Sequence, residues 1–387
     1  MDLDIRKCGY SFDKKSVKFY CSKNNYPDLQ DFESVYVTGT FNGWLNTGDS
    51  SWLMKKQQEK GKTVFVLEKK IEDILVPGNS GFPEFKFFGL SDNSCHILGE
   101  KPGAGNVFLG NKLILFSDED FEEVEKLNKV PGVYKELKDF DLNCPACRAE
   151  LSNVRLVPGT KALYRGYHPC KKSRGWLDTE NDRILLVRKA LDLYGIKSDI
   201  TLSGYEGIDE RAGESVCQQL LQMENKNNRL CVNIDYNLVY FHSDAVEFLN
   251  IIQRIAKFIL EHPAPYYLHC RLGSDKTGVI AAVFASLCGA GWKEIAEDFE
   301  KTNDCGIGEF RSRKILRYSL QRLTGFDPEG SDNLAYTMQS LFLKEKLLKA
   351  GEIEKLIKKL NTESKRKETD FFDFSFRHIC AKKSANC

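Results

Sequence analysis

The sequence has no excess of either charge and no long apolar run. Its 387 residues carry 56 Lys and Arg against 55 Asp and Glu, a formal net charge of +1. Proteins that bind nucleic acid through its phosphates usually carry a basic excess, so this balance predicts no nucleic-acid partner. Residues 1–6 have no apolar signal core, and no run of about 20 apolar residues occurs, so we expect no membrane partner and a cytoplasmic location.

The spacing typical of metal ligands is also absent, although cysteine is abundant. The 13 cysteines are an odd number scattered through apolar segments, which indicates reduced thiols and not a disulfide framework. A zinc site at the one Cys-x-x-Cys pair, Cys144 and Cys147, would need two further ligands at a matching spacing, and the sequence supplies none. We therefore expect paired thiols in a linker, no metal and no cofactor.

The chain is long for one compact domain, and its apolar content of 42% is sufficient for two buried cores. Runs of β-branched and aromatic residues, separated by turn residues, predict strands in residues 35–39, 63–67 and 85–88. We predict a multidomain protein that begins with an immunoglobulin-like β-sandwich over residues 1–118 and a linker over 119–149. An α/β domain with a central sheet flanked by helices follows over 150–326, and a helical extension and tail over 327–387.

The first predicted domain contains the sequence Val-Tyr-Val-Thr-Gly-Thr-Phe-Asn-Gly-Trp at residues 35–44 and Phe-Lys-Phe at 85–87. These segments resemble family-48 carbohydrate-binding modules, such as the glycogen-binding domain of AMP-activated protein kinase β subunits. The resemblance implies that Trp44 stacks on a sugar ring, that Lys86 makes a polar contact and that Asn106 binds a sugar hydroxyl. A glycan is therefore one expected partner, and the alternative is a packing domain without a ligand.

Residues 266–278 read as an apolar strand, a short polar loop and the start of a helix, with Cys270 at the first bend. The apolar run at residues 279–287 indicates that this helix is buried. Backbone N–H groups of the loop and of the helix N-terminus would then converge on an anion above Cys270. The same field favours a thiolate at Cys270.

This segment resembles the signature of the cysteine-dependent tyrosine and dual-specificity phosphatases, which is His-Cys, five residues, then Arg and Ser or Thr. The resemblance implies a phosphorylated substrate and a phosphocysteine on Cys270. It further implies that His269 orients the loop and that the Thr277 hydroxyl steadies the thiolate. The arginine position holds Lys276, which keeps the positive charge of the phosphate clamp but loses the planar fork. The other implied phosphate contacts are Arg271, Leu272, Gly273, Ser274 and Gly278.

Two carboxylates are candidates for the general acid that protonates the leaving oxygen. Asp275 directly precedes Lys276, a position that resembles a bacterial-type branch of these phosphatases. Asp235 lies on a segment about 35 residues before Cys270, where most members of the superfamily carry their acid. Asp244 is a third carboxylate, but a capping box with Glu247 at the start of a helix explains it without catalysis.

Two arginines outside the signature loop have two interpretations each. Residues 163–169 resemble the Tyr-Arg-Gly segment that begins bacterial-type phosphatase domains, and the alternative is a surface loop with Arg165 in solvent. Arg311 lies in a Gly-punctuated loop at residues 302–314. It either brings the missing guanidinium to the phosphate or stands in solvent at a helix start.

The predicted function is phosphomonoester hydrolysis on a phosphotyrosine, inositol-phosphate or phosphoglycan type of substrate. The alternatives are a weak or inactive phosphate-binding pseudophosphatase and a scaffold that docks on glycan through the first domain. The sequence gives no indication of an oligomeric state.

Overall fold

The computed structural model describes residues 9–22, 26, 29, 32–44, 49–75, 83–91, 94–98, 112–120, 122, 134–204, 217–331 and 333–363. The chain divides into two compact units. The first contains Met1–Lys135, Asp235–Asn250 and Ala290–Leu341, and the second contains Glu136–Ile234, Ile251–Gly289 and Phe342–Cys387. The boundaries predicted at 118, 149 and 326 stay predictions. Within the described ranges, no helix combines the length and the apolarity needed to cross a bilayer.

Strands and helices are numbered here in chain order. The strands are β1 (Tyr10–Phe12), β2 (Ser16–Ser22), β3 (Ser34–Gly39), β4 (Lys55–Glu59), β5 (Lys62–Lys70), β6 (Glu84–Ser91), β7 (Ser94–Ile97), β8 (Lys112–Leu113), β9 (Arg155–Leu156), β10 (Leu163–Gly166), β11 (Ser198–Thr201), β12 (Arg229–Cys231) and β13 (Tyr266–His269). The helices are α1 (Ile71–Ile74), α2 (Pro145–Ser152), α3 (Glu180–Leu193), α4 (Gln218–Asn225), α5 (Tyr236–Phe241), α6 (Val246–Glu261), α7 (Asp275–Leu287), α8 (Trp292–Glu300), α9 (Arg313–Thr324), α10 (Leu334–Lys344) and α11 (Ala350–Leu360).

The first unit contains two antiparallel sheets, in the strand orders β1-β2-β5-β4 and β3-β6-β7, with β8 also paired to β6. Alternate side chains of both sheets enter one apolar cluster. Val17, Phe19 and Cys21 come from β2, whereas Val35 and Val37 come from β3. This period of two is the pattern of strands that bury one face. The strands predicted at residues 35–39, 63–67 and 85–88 are confirmed as parts of β3, β5 and β6.

The second unit contains a five-stranded sheet in the order β12-β11-β13-β10-β9. Its strands β10 to β13 are parallel, and only β9 pairs antiparallel. Parallel neighbours need crossover connections, which helices such as α3 and α4 provide here. Since the carboxyl ends of parallel strands meet at one edge of a sheet, the residues that follow β10, β11 and β13 lie along that edge. The predicted mixed α/β architecture with a central sheet is confirmed.

The central strand β13 leads directly into the predicted loop and helix. Tyr266, Tyr267, Leu268 and His269 are fully buried, and β13 has β10 on one side and β11 on the other. In α7, every residue from Thr277 to Leu287 is buried. A helix that is apolar on all sides belongs in a core, so burial fixes both flanks of the loop between β13 and α7. The strand, loop and helix predicted from the sequence are therefore confirmed.

Candidate active site

Cys270 is the first residue after β13 and is 5% exposed. The chain then turns over four residues before α7 begins at Asp275, with Ser274 as the residue that precedes the helix. The first N–H groups of a helix have no partner within it, and the helix dipole places positive potential at that end. The loop thus lies between a buried thiol and an electropositive helix start.

The loop carbonyls are held by donors from elsewhere in the second unit. The hydrogen bonds run from Asn153 Nδ2 to Leu272 O (3.0 Å), from Arg165 Nη2 to Gly273 O (2.8 Å), and from His168 N and Ser173 Oγ to Arg271 O (3.3 and 3.4 Å). None of the N–H groups of residues 271–274 finds an acceptor among the described residues. Because the N–H and C=O of a peptide point in opposite directions, fixing the carbonyls leaves the N–H groups as an anion-binding nest.

Gly273 is required by the geometry of this loop. Its φ of +74° lies in the left-handed region, which residues with a side chain rarely adopt. A Cβ at this position would lie 2.3 Å from Gly166 O and 2.9 Å from Asn153 Nδ2. Any other residue would therefore push the loop away from β10 and from Asn153, which holds Leu272 O.

The hydroxyls of Ser274 and Thr277 are buried and have no hydrogen-bond partner among the described residues. A buried polar group without a partner costs about 1–3 kcal/mol, so proteins tolerate few of them away from ligand sites. Two such hydroxyls, one at the end of the loop and one in the first turn of α7, together with unpaired N–H groups, fit an anionic site. The predicted roles, a phosphate contact for Ser274 and stabilisation of the thiolate for Thr277, stay predictions.

His269 belongs to a buried ionic network that the sequence did not reveal. Its Nδ1 lies 3.2 Å from Cys270 O, and its Nε2 lies 3.1 Å from Asp199 Oδ1, within ion-pair distance although the angle is not that of a hydrogen bond. Arg229 Nε donates to Asp199 Oδ2 at 3.0 Å. Burial alone would raise the pKa of Asp199, but the neighbouring His269 and Arg229 lower it below its usual value. Asp199 is thus a buried carboxylate that fixes the ring preceding the thiol.

His168 supports the same loop as a neutral ring. Its Nδ1 accepts hydrogen bonds from the N–H groups of Cys170 and Lys171 at 3.0 and 2.9 Å, so this nitrogen carries no proton. Burial, followed by the nearby His269, holds the pKa of His168 well below its usual value. The ring stands edge-on to His269, with centroids 4.8 Å apart. His168 and His269 were detectable in the sequence as polar side chains at or near the end of an apolar strand.

The second interpretation of this segment placed Arg165 in solvent on a surface loop, and the structure shows that this is wrong. It lies on β10, is 1% exposed and donates to Gly273 O. A guanidinium is buried only where acceptors meet it, and here the loop carbonyl is one of them. Arg165 therefore positions the loop from the neighbouring strand.

The candidate acids have different surroundings. Asp275 is the first residue of α7 and is partly exposed, five positions after Cys270. Asp235 is exposed at the start of α5, where its Oδ1 accepts the N–H of Leu238 at 2.7 Å. Asp235 thus has a helix-capping role that is sufficient to explain it.

Asp244 does not form the predicted capping box. Helix α6 begins at Val246, and both carboxylate oxygens of Asp244 instead accept from Arg322, at 2.8 and 3.1 Å. The Asp244 carboxylate is therefore engaged in a bidentate ion pair on the surface of the first unit and not in capping a helix. Neither arrangement gives Asp244 a catalytic role.

Arg311 does not stand in solvent at a helix start, so that interpretation is wrong. The side chain is 3% exposed in the first unit, and its Nη1 donates to both oxygens of Glu84 at 2.8 and 2.7 Å. Its Nη2 lies 3.3 Å from Glu309. A buried guanidinium needs carboxylate partners, and Glu84 on β6 supplies the main one. The alternative, a contact of Arg311 with the phosphate, stays a prediction.

The predicted sugar contacts are only partly visible. Trp44 is half-buried, with its ring edge-on to Tyr236 at a centroid distance of 6.2 Å. Lys86 lies on β6 and is also half-buried. Asn106 lies outside the described residues. The glycan role of these three residues stays a prediction.

The described geometry can be compared with known families. A family model described as Tyrosine phosphatase family matches residues 203–357. The matched segment includes β12, β13, α7 and the loop at Cys270, and it begins after β10 and β11, from which Arg165 and Asp199 come. No curated protein matches the chain. The C-terminal half of this chain thus carries a tyrosine-phosphatase-like domain, and phosphatase activity is what its family match indicates.

Proposed function

We propose that the protein hydrolyses phosphomonoesters through a covalent phosphocysteine on Cys270. The observation that carries the proposal is the loop at residues 270–277, in which outside donors hold the carbonyls while N–H groups and two buried hydroxyls stay unpaired. A dianionic phosphoryl group supplies oxygen acceptors for such donors. It would also place its phosphorus above the thiol that follows β13.

In the first step, the Cys270 thiolate attacks phosphorus, a sulfur–phosphorus bond forms and the bond to the leaving oxygen breaks. The general acid protonates that oxygen, so the alcohol departs neutral. In the second step, water attacks phosphorus, the sulfur–phosphorus bond breaks and inorganic phosphate leaves. The thiolate returns to its starting state, and no metal or external electron donor takes part.

The loop donors stabilise charge on the phosphoryl oxygens in both steps. The N–H nest and the Ser274 hydroxyl bind equatorial oxygens, the Thr277 hydroxyl steadies the Cys270 thiolate, and Lys276 adds a single positive point charge. Lys276 is half-buried in the first turn of α7, and no carboxylate pairs with it among the described residues. Its ammonium is therefore available to a bound anion, and His269 is assigned a positioning role through Asp199.

A phosphate-binding protein without turnover is the second candidate, and Lys276 is the observation that favours it. A lysine in place of a bidentate guanidinium binds phosphate, but it matches the planar arrangement of the transferring group less well. Binding with little hydrolysis is the result that this candidate predicts. The two candidates therefore differ in phosphate release and agree in phosphate affinity.

For the first unit we propose an immunoglobulin-like sandwich of the carbohydrate-binding kind. Its support is the pair of antiparallel sheets that share one apolar cluster and the position of Trp44 directly after Gly43, which ends the turn at Thr40–Asn42. A phosphoglycan is then the substrate class that would use both units of the chain. Phosphotyrosine and inositol phosphates are the competing classes, and a substrate panel separates all three.

The proposed chemistry is tested by phosphate release from an aryl phosphate in the presence of a metal chelator. We expect turnover to survive the chelator, because thiolate and protein donors perform each step. Iodoacetate should inactivate the enzyme by alkylating Cys270, and inorganic phosphate should slow that alkylation. Phosphate protection of Cys270 without any phosphate release would instead support the non-catalytic candidate.

A second experiment separates the two carboxylates. Loss of the general acid harms alkyl phosphates, whose leaving groups need a proton, far more than nitrophenyl phosphates, whose leaving groups do not. We expect Asp275→Asn to show this asymmetry by roughly tenfold or more, measured as kcat/KM on the two substrates. Asp235→Asn should affect both substrates mildly and equally, because the asparagine side-chain oxygen still caps α5. The reverse result would place the acid at Asp235 and make Asp275 a brace of the loop.

A further inference from the structure

The pair Cys144 and Cys147 lies at the N-terminus of α2, in the second unit. Cys144 precedes the helix, Pro145 is its first residue and Cys147 is its third. Both cysteines are partly exposed and neither is in a disulfide. The proposed phosphatase mechanism does not use them, and the sequence interpretation as linker thiols does not account for their place in the first turn of a helix.

The two thiols have opposite electrostatic surroundings. The N–H of Cys147, then its thiol and the N–H of Ala146, lower the pKa of Cys144, although its sulfur makes no standard capping hydrogen bond. The hydrogen bond with Cys144 and partial burial raise the pKa of Cys147. An accessible thiol at a helix N-terminus that is more acidic than its partner three residues on is the arrangement of a reactive dithiol.

We propose that Cys144 and Cys147 form a redox-active dithiol that exchanges with small-molecule disulfides. The Cys144 thiolate attacks one sulfur of the disulfide, forms a mixed disulfide and releases one thiolate, which takes up a proton. Cys147 then loses its proton and attacks Cys144 Sγ, which releases the second thiol and leaves a Cys144–Cys147 disulfide. The chain loses two electrons, the small disulfide gains them, and no further reactant is needed.

A metal does not account for the pair equally well. Among the described residues, no third His, Cys, Asp or Glu stands with these thiols in a group that could hold an ion. Cys144 and Cys147 are three positions apart at the start of α2, and residues at this spacing in a helix lie on one face with Cβ atoms about 5–6 Å apart. Closure of the disulfide therefore requires only a small movement at an exposed helix start.

The test uses oxidised glutathione on full-length protein in which Cys270→Ser removes the proposed catalytic thiol. We expect this protein to form the Cys144–Cys147 disulfide, identified by peptide mass spectrometry, with release of two glutathione molecules. Adding Cys147→Ser should stop the reaction at a mixed disulfide on Cys144. Adding Cys144→Ser instead should slow modification of Cys147 by roughly tenfold or more, because the more acidic thiol is gone.

Cys231→Ser is the matched control, since Cys231 lies on β12 and burial raises the pKa of its half-buried thiol. It should leave both the rate and the product unchanged. Equal modification rates of Cys144 and Cys147 in the two single variants would overturn the proposal. So would oxidation that forms a disulfide elsewhere in the chain and leaves Cys144 reduced. Circular dichroism of each variant confirms that the fold is retained during the comparison.

Discussion

Replacement of Cys270 by serine should lower phosphate release by on the order of 10⁴-fold or more, the scale seen when an enzyme loses its nucleophile. Serine is nearly isosteric with cysteine, so the loop and its carbonyl contacts should persist. A serine hydroxyl, however, carries almost no negative charge at neutral pH and attacks phosphorus poorly. The measurement is kcat/KM on an aryl phosphate, with inorganic phosphate affinity followed separately. We expect the affinity to stay within a few-fold while the rate collapses.

Cys288→Ser is the control for this experiment. Cys288 follows the last residue of the same helix α7, and burial raises the pKa of its thiol to about 12. Removing that unreactive thiol should leave the rate within about twofold, since it changes neither the loop nor the helix start. A Cys270→Ser protein that kept the wild-type rate would show that hydrolysis does not use this thiol.

The central feature of the site was predictable because it is local in sequence. An apolar strand, a glycine at a turn and an apolar helix follow one another within residues 266–287, and each pattern reports its own backbone conformation. Burial on both flanks then fixes the loop between them. The outcome is the confirmed order of β13, loop and α7.

The residues that hold the loop were not predictable, because they act across long separations in the chain. Asn153 and Arg165 reach the loop from 119 and 108 positions away, and each contact depends on strand order in the sheet. Asp199 was detectable in principle as a carboxylate inside an apolar strand, which must have a partner. Its partners His269 and Arg229 lie on neighbouring strands, and no periodicity encodes that pairing.

Arg311 illustrates the same limit in the first unit. Its sequence setting, a glycine-rich loop with charges of both signs, suggested either solvent or a ligand. Its main partner, Glu84, lies 227 positions earlier on β6, and the pair is buried. Loop composition alone does not distinguish a surface charge from one half of a buried ion pair. Variants of Lys276 itself therefore test whether a lysine can replace the arginine of the signature loop.

Replacement of Lys276 by alanine should lower kcat by on the order of 10²–10³, the effect of losing one donor to the charge of a transition state. Lys276→Arg should hold or raise kcat, because a guanidinium restores two parallel hydrogen bonds to the equatorial oxygens. Both variants are measured on the same aryl phosphate, together with the affinity for inorganic phosphate. A gain in the arginine variant would show that lysine limits a loop otherwise shaped for the reaction.

Lys293→Ala is the matched control, because Lys293 is an exposed lysine on α8 whose contact with Glu297 is 3.9 Å long and lies at the surface. Its removal should leave kcat unchanged, since a solvated pair contributes little. A large loss in Lys276→Arg alongside a large loss in Lys276→Ala would contradict the simple exchange of one cation for another. It would mean that the loop is built around the shorter, single-point donor, and that the wider guanidinium displaces the phosphoryl group from Cys270.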